Sequence, residues 1–137
     1  MARNIIDLPT LGDDGKLYRD TAVDMVESLI PNPWESCHAP DLLELENGDL
    51  LCCWFAGSRE GNADISIAVA RLPADAEQWE QPVIVSDDPT RSEQNPSLFQ
   101  NPNGDIWLMY TAQAAKKPDD NSDDSLQGTA EIRRKIS

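Results

Sequence analysis

Two stretches of this chain repeat each other in a way that limits what it can fold into. Pro40-Asp41-Leu42-Leu43-Glu44-Leu45-Glu46-Asn47-Gly48-Asp49 leads into Leu50-Leu51-Cys52-Cys53-Trp54-Phe55. Fifty-six positions on, counted from Pro40 to Pro96, Pro96-Ser97-Leu98-Phe99 leads through Asn103-Gly104-Asp105 into Ile106-Trp107-Leu108-Met109-Tyr110. The shared frame is a proline, an extended run, Asn-Gly-Asp, and a second extended run rich in aromatics. Asn-Gly between two apolar runs is a strong hairpin signal, because a type I′ turn needs positive φ at both central residues.

A period near 50 residues points to propeller blades before solenoid helices. The rest of each unit fits four strands per blade. Residues 65–71 supply a third strand and 81–85 a fourth, after Trp79. In the second unit, residues 129–136 parallel the third strand. There the offset grows to 67, from Asp64 to Glu131, which places 11 extra residues in the Lys/Pro/Asp-rich stretch around Lys116 to Ser125. Insertions of that kind belong in exposed loops. With Asn47-Gly48 as a two-residue turn, Leu43 faces Cys52, Asp41 faces Trp54 and His38 faces Gly57. Both faces of this hairpin are apolar, so the sheet is expected to be sandwiched between neighbours.

The expected fold is therefore all-β, with about two four-stranded antiparallel blades. A first blade spans 34–89. A second, incomplete one spans 90–137 with an acidic loop insertion over 114–127. Residues 1–33 form an N-terminal segment, in which Thr21 to Leu29 reads as either a short helix or a strand. In a closed propeller such a segment often lends a strand to the closing blade.

Charge and cysteines bound the function. The net charge of −14 disfavours nucleic acid and anionic membranes as partners. No apolar run approaches the ~20 residues of a membrane span. The N-terminus lacks the long apolar core of a secretory signal, so a cytoplasmic location is the default, though a removed signal would leave no trace. Three cysteines, Cys37, Cys52 and Cys53, form no C-x-x-C pair and fit a reducing compartment. Cys52 and Cys53 point to opposite faces and read as buried small residues. One histidine and scattered cysteines give no metal-ligand spacing, and no glycine-rich nucleotide loop is present, so no cofactor is expected.

The stretch Ser36-Cys37-His38-Ala39-Pro40 through Asp49, then Trp54-Phe55-Ala56-Gly57-Ser58-Arg59-Glu60-Gly61, resembles the sialidase-like, BNR-repeat (neuraminidase-like) proteins. Glu93-Gln94-Asn95-Pro96-Ser97-Leu98-Phe99 through Gln113 resembles them again. The resemblance implies a six-bladed propeller. The chain would then be an N-terminal portion, a cleaved piece, or a subunit that completes its ring with other chains. Blades of the family carry an Asp box, S-x-D-x-G-x-x-W. Counted back from Trp79, its positions hold Leu72, Ala74 and Ala76, so only the tryptophan matches. Sialidases open the first blade with Arg-Ile-Pro; here the motif reads His38-Ala39-Pro40. Arg59 occupies the position of a second substrate-gripping arginine, and Asp64 lies near that of the general-acid aspartate. The family's tyrosine–glutamate pair and third arginine would lie in later blades.

The resemblance and the hairpin register together suggest a site at one blade end. His38 and Asp64 are the candidate general acid or base. Arg59 suits a bidentate grip on a substrate carboxylate. Glu60, Gln94, Asn95 and Trp34 are further candidates for substrate contacts. Most have a structural alternative: a hydrogen-bonded histidine, an exposed Arg59–Glu60 pair, an Asp64 turn cap with Glu131 as its counterpart, and Trp34 as a wedge between the N-terminal segment and the first blade. The implied function is a carbohydrate-active enzyme cleaving a glycosidic bond next to an acidic sugar, hydrolysis being favoured over lyase elimination. The alternative is a non-catalytic glycan-binding or scaffolding propeller. The partners expected are a carbohydrate and the remainder of the propeller.

Overall fold

A computed structural model describes residues 6–7, 12–122 and 124–137. It begins with a small sheet in which β1 (Ile6–Asp7) runs parallel to β2 (Tyr18–Asp20), and β2 pairs antiparallel with β3 (Met25–Glu27). The ambiguous stretch from Thr21 therefore contains a strand, entered by a turn in which Asp24 has φ of 50°. A four-stranded antiparallel sheet follows, in the order β4 (Ser36–Glu44), β5 (Leu50–Gly57), β6 (Ser66–Leu72) and β7 (Val83–Ile84). A three-stranded antiparallel sheet completes the structure: β8 (Arg91–Gln100), β9 (Ile106–Ala114) and β10 (Glu131–Ile136). Among the described residues the remaining regular element is a short 3₁₀ turn at Gln127–Thr129. The all-β class read from the sequence holds.

The repeat extends to the backbone, but the turn differs from the one expected. Gly48 and Gly104 have φ of +84° and +91°, while Asn47 and Asn103 are not in the left-handed region. Leu45 N–H donates to Asp49 at 2.8 Å and Asn101 N–H to Asp105 at 2.9 Å, so each loop has three residues with glycine alone at positive φ. The pairing moves by one residue: Leu42 faces Cys52, Leu43 faces Leu51 and Asp41 faces Cys53. A bulge then shifts it again between His38 and Asp41, where Ala39 has φ of 51°. His38 consequently pairs with Phe55, two residues deeper in the sheet than the expected Gly57, and Cys37 pairs with Ala56. The second blade has the same bulge between Gln94 and Ser97, with Asn95 at φ of 50°. In both blades a proline, Pro40 or Pro96, follows; it has no N–H to give to a ladder and sits where the ladder is interrupted.

The insertion is also smaller than expected. Ser66 faces Ala56 and Glu131 faces Ala112, so Glu131 matches Ser66 at an offset of 65 and nine residues are inserted rather than 11. The counterpart of Asp64 is thus Thr129, not Glu131.

The first blade is covered on both faces, as its two apolar sides require. Cys52, Trp54, Ala56, Ala68, Ala70 and Leu72 pack with Leu17 and Trp79, joined by Ile30 and Trp34. Residues 12–34 are tied down there by polar contacts. Trp79 N–H donates to Gly15 O at 2.9 Å, Trp79 Nε1 to Ser28 Oγ at 3.0 Å, and Trp54 Nε1 to Asn32 Oδ1 at 3.1 Å. On the opposite face Cys53, Phe55, Ile65 and Ile67 meet Leu108 and Tyr110 of the second blade. Burying a side chain as large as Phe55 stabilises by about 1.5–3 kcal/mol. Adjacent cysteines thus serve opposite cores, and all three cysteines are free.

The turn where an Asp box would sit is held from elsewhere. Asp49 is buried and accepts the Arg71 guanidinium, the Ala74 N–H at 2.8 Å and the Asn47 amide at 3.0 Å. Arg71 first, then the Ala74 N–H, keeps its carboxyl below the usual range.

Candidate functional site

The β5–β6 connection is short and heavily bonded. It can close because Gly57 lacks a side chain: a Cβ there would come within 2.8 Å of both Asp64 O and Ile65 Cδ1. Asp64 accepts the Ser58 N–H at 3.2 Å and the Ser58 hydroxyl at 2.9 Å, and Asn62 Nδ2 donates to Ser58 Oγ at 3.0 Å. The loop thereby presents Arg59 and Glu60 outward, both exposed.

The longer β9–β10 connection leans onto this loop. Lys116 N–H donates to Gly61 O at 2.8 Å, and the Lys116 stem lies where a Gly61 Cβ would be, 3.1 Å away. Its ammonium donates to Ser122 O at 2.7 Å, which closes the inserted loop on itself. Between the two connections lies a cleft of about 320 Å³, bounded by Arg59, Glu60, Gln113, Lys116, Asp124 and Gln127. The Arg59 carbonyl accepts the Asn62 N–H at 3.0 Å, while its guanidinium makes no ion pair or hydrogen bond among the described residues.

The other sequence candidates fall in several places. His38 is exposed, its ring centroid 5.7 Å from that of Phe55, and it borders a separate apolar hollow of about 330 Å³ with Ile30, Cys52 and Trp54. The structure therefore does not line His38 up with Arg59 and Glu60 along one cleft, because the bulge at Ala39 and the longer turn draw it down the strand. Asp64 is next to the cleft, bonded to Ser58. Gln94 is buried and donates to Ser92 Oγ at 2.9 Å, whereas Asn95 is exposed and donates to Thr111 Oγ1 at 3.3 Å. Trp34 packs edge-on against Trp54, centroids 6.5 Å apart, within the core under the first blade.

Several residues of this region were not evident from the sequence. Gln113, at the end of β9 and matching Gly57 in the repeat, reaches the cleft, as does Gln127. Alongside, an ion-pair lattice fixes the second blade. Arg133 bonds Asp88 at 2.6 Å and Glu131 at 2.9 Å and lies 3.9 Å from the buried Glu93, while Arg91 bonds Glu131 at 2.8 Å. The Thr90 hydroxyl and N–H, then Arg133, lower the Asp88 carboxyl from 3.8 to about 2. Burial, then the charge of Glu93, raises the Tyr110 phenol. Among the described residues no group of three or more His, Cys, Asp or Glu side chains is placed to share a metal ion.

The profile of the BNR repeat-like domain matches residues 48–129, more than half of the chain. The chain belongs to the BNR repeat-like family. Its match runs from the first hairpin turn to the end of the inserted connection, and so contains both walls of the cleft. A search of curated proteins found no match. Among solved structures, this BNR repeat-like chain is similar to the Hadza microbial sialidase Hz136, with TM-score 0.57 and 15% identity over 76% of this chain and 24% of that one. It is also similar to a protein of unknown function from Dyadobacter fermentans, with TM-score 0.56 and 18% identity over 74% of this chain and 32% of that one. The chain thus spans between about a quarter and a third of the length of those two structures. At these identities the likeness establishes the shared fold, the sialidase-like propeller architecture, and leaves chemistry to the site.

Proposed function

We propose that this BNR repeat-like chain forms part of a carbohydrate-active enzyme that cleaves a glycosidic bond next to an acidic sugar, with hydrolysis favoured over elimination. The observation that carries the reading is Arg59. A planar guanidinium with no internal partner among the described residues faces a cleft between two blade loops, where it can take a carboxylate through two parallel hydrogen bonds. Asp64, one loop turn away and braced by Ser58, is the better placed acid or base of the two candidates. His38 would act from the neighbouring hollow. Glu60 borders the same cleft and Asn95 is exposed at the start of the second blade, both available to sugar hydroxyls, whereas Gln94 would act by supporting Ser92. Trp34 would offer its ring only at the edge of its packing against Trp54.

A larger propeller is part of this proposal. Phe99, 54% exposed, and Ile132, 78% exposed, lie on the second blade, and apolar surface of that kind is suited to burial against a further blade.

A specific observation favours a second reading, a glycan-binding propeller without turnover. Both carboxylate oxygens of Asp64 are engaged by Ser58, and His38 borders a different hollow. The experiment that separates the two is turnover of fluorogenic glycosides of acidic sugars by wild type, Asp64→Asn and His38→Ala. An enzyme loses turnover in at least one variant whose thermal unfolding is unchanged. Absence of turnover by the wild type, with retained sugar binding, would favour the second reading. An unsaturated product would mark elimination.

A further inference from the structure

The nine inserted residues of the β9–β10 connection give the cleft a second wall, and that wall has a chemistry of its own. Gln113 is only 7% exposed, yet it borders the cleft and its side-chain amide has no hydrogen-bond partner among the described residues. Among the described residues the buried side-chain atoms without a partner are Glu93 Oε2 and Trp107 Nε1, so the Gln113 amide is reached from the cleft and is free to bond what enters it. Gln127 borders the same space from the 3₁₀ turn. The Lys116 ammonium is already taken by Ser122 O, which leaves Arg59 as the cleft cation without an internal partner among the described residues. Glu60 and Asp124 place carboxylates at the rim, in a protein of net charge −14. Such a site admits one negative group at Arg59 and repels a polyanion. What remains beside Gln113 and Gln127 suits neutral hydroxyl groups, each an acceptor and a donor for an amide.

We infer that the long β9–β10 connection builds a subsite for a neutral sugar unit, linked to the acidic sugar held by Arg59, with Gln113 and Gln127 as its hydrogen-bonding residues. This rests on the proposed carboxylate-binding role of Arg59. Lys116 acts as a positioning residue, since its bonds to Gly61 and Ser122 set the spacing of the two walls. The cleft volume of about 320 Å³ is at the lower end of small-molecule sites, in keeping with a short saccharide rather than a long chain held along its length.

Calorimetric titration tests this with glucuronic acid, galacturonic acid and N-acetylneuraminic acid, each free and joined to a neutral hexose. For at least one acidic sugar the disaccharide should bind about tenfold more tightly than the free sugar. Gln113→Leu and Gln127→Ala should each remove several-fold of that gain and leave binding of the free sugar unchanged. Thermal unfolding checks that Gln113→Leu folds, and Gln127→Ala, at an exposed position, keeps the test open if it does not. A disaccharide no tighter than its free sugar, where Arg59→Ala still abolishes binding of both, would overturn the subsite and leave the Arg59 reading standing. A tighter disaccharide unaffected by either glutamine variant would overturn the assignment of these residues. No binding of any of the six probes would overturn both readings.

Discussion

Asp64 and Thr129 hold equivalent places in the two blades. Each side chain accepts a backbone N–H at the end of the second strand, Asp64 from Ser58 at 3.2 Å and Thr129 from Ala114 at 2.9 Å. One position thus carries a structural task that a hydroxyl performs as well as a carboxylate. Asp64→Thr should therefore retain the cap, with thermal unfolding close to wild type, while Asp64→Ala loses on the order of 1 kcal/mol. If Asp64 is also the acid or base, Asp64→Thr will be folded and inactive. A folded Asp64→Thr protein with wild-type turnover would restrict Asp64 to its capping role.

The core between the blades should be the most sensitive part of the structure. Phe55 is 1% exposed and lies between the first blade and Leu108 and Tyr110 of the second. Phe55→Ala is expected to cost about 3–5 kcal/mol, read from the denaturant midpoint at unchanged slope. A cost below 1 kcal/mol would mean that the two blades do not pack as described.

Acid should loosen the second blade through Asp88. Its folded carboxyl is lowered from 3.8 to about 2 by Thr90 and Arg133, and the Arg133 guanidinium is raised in turn. A carboxyl lowered on folding stabilises fully above its unfolded value, and that contribution disappears as pH falls from about 3.8 towards about 2. Asp88→Asn should be less stable than wild type at pH 7, with the difference shrinking through this window. Stability curves for the two proteins that stay parallel across it would contradict the Asp88–Arg133 pairing.

Thiol chemistry should distinguish the cysteines. Burial pushes the Cys52 and Cys53 thiols up to about 11 and about 12, whereas Cys37 is exposed. A thiol-specific reagent at pH 8 should label one cysteine rapidly in the folded protein and three after unfolding. Rapid labelling of all three in the folded state would show that the first blade is not covered on both faces.

The blade frame was legible in the sequence because its signals are local. Asn-Gly-Asp, the proline fifty-six residues apart and the runs of Leu50 to Phe55 and Ile106 to Tyr110 each mark their own strand or turn. Register was less so, since Asn47-Gly48 is compatible with a two-residue or a three-residue loop, and only the φ of Asn47 separates them. Ala39 gave no sign of its left-handed backbone, which an asparagine, as at Asn95, would have suggested. These two small departures move His38 two residues along the strand. The cleft was legible at Arg59 and Glu60, where the loop is short. Gln113 and Gln127 were not, because their approach to Arg59 depends on Lys116 clasping Gly61 across 55 residues of chain. The Arg133–Asp88 pair, 45 residues apart, lies beyond local pattern for the same reason.

The most direct test of the central claim, a carboxylate-binding cleft between the two blade loops, is a nuclear magnetic resonance titration. The Arg59 Nε–H and Gln113 amide signals would be followed as glucuronic, galacturonic or N-acetylneuraminic acid is added, free or joined to a neutral hexose. The account predicts that at least one of these sugars shifts the Arg59 signal saturably, with the Gln113 amide following only when that sugar carries a linked neutral hexose. Saturable shifts confined to residues around His38 and Trp54, with Arg59 unmoved, would contradict it.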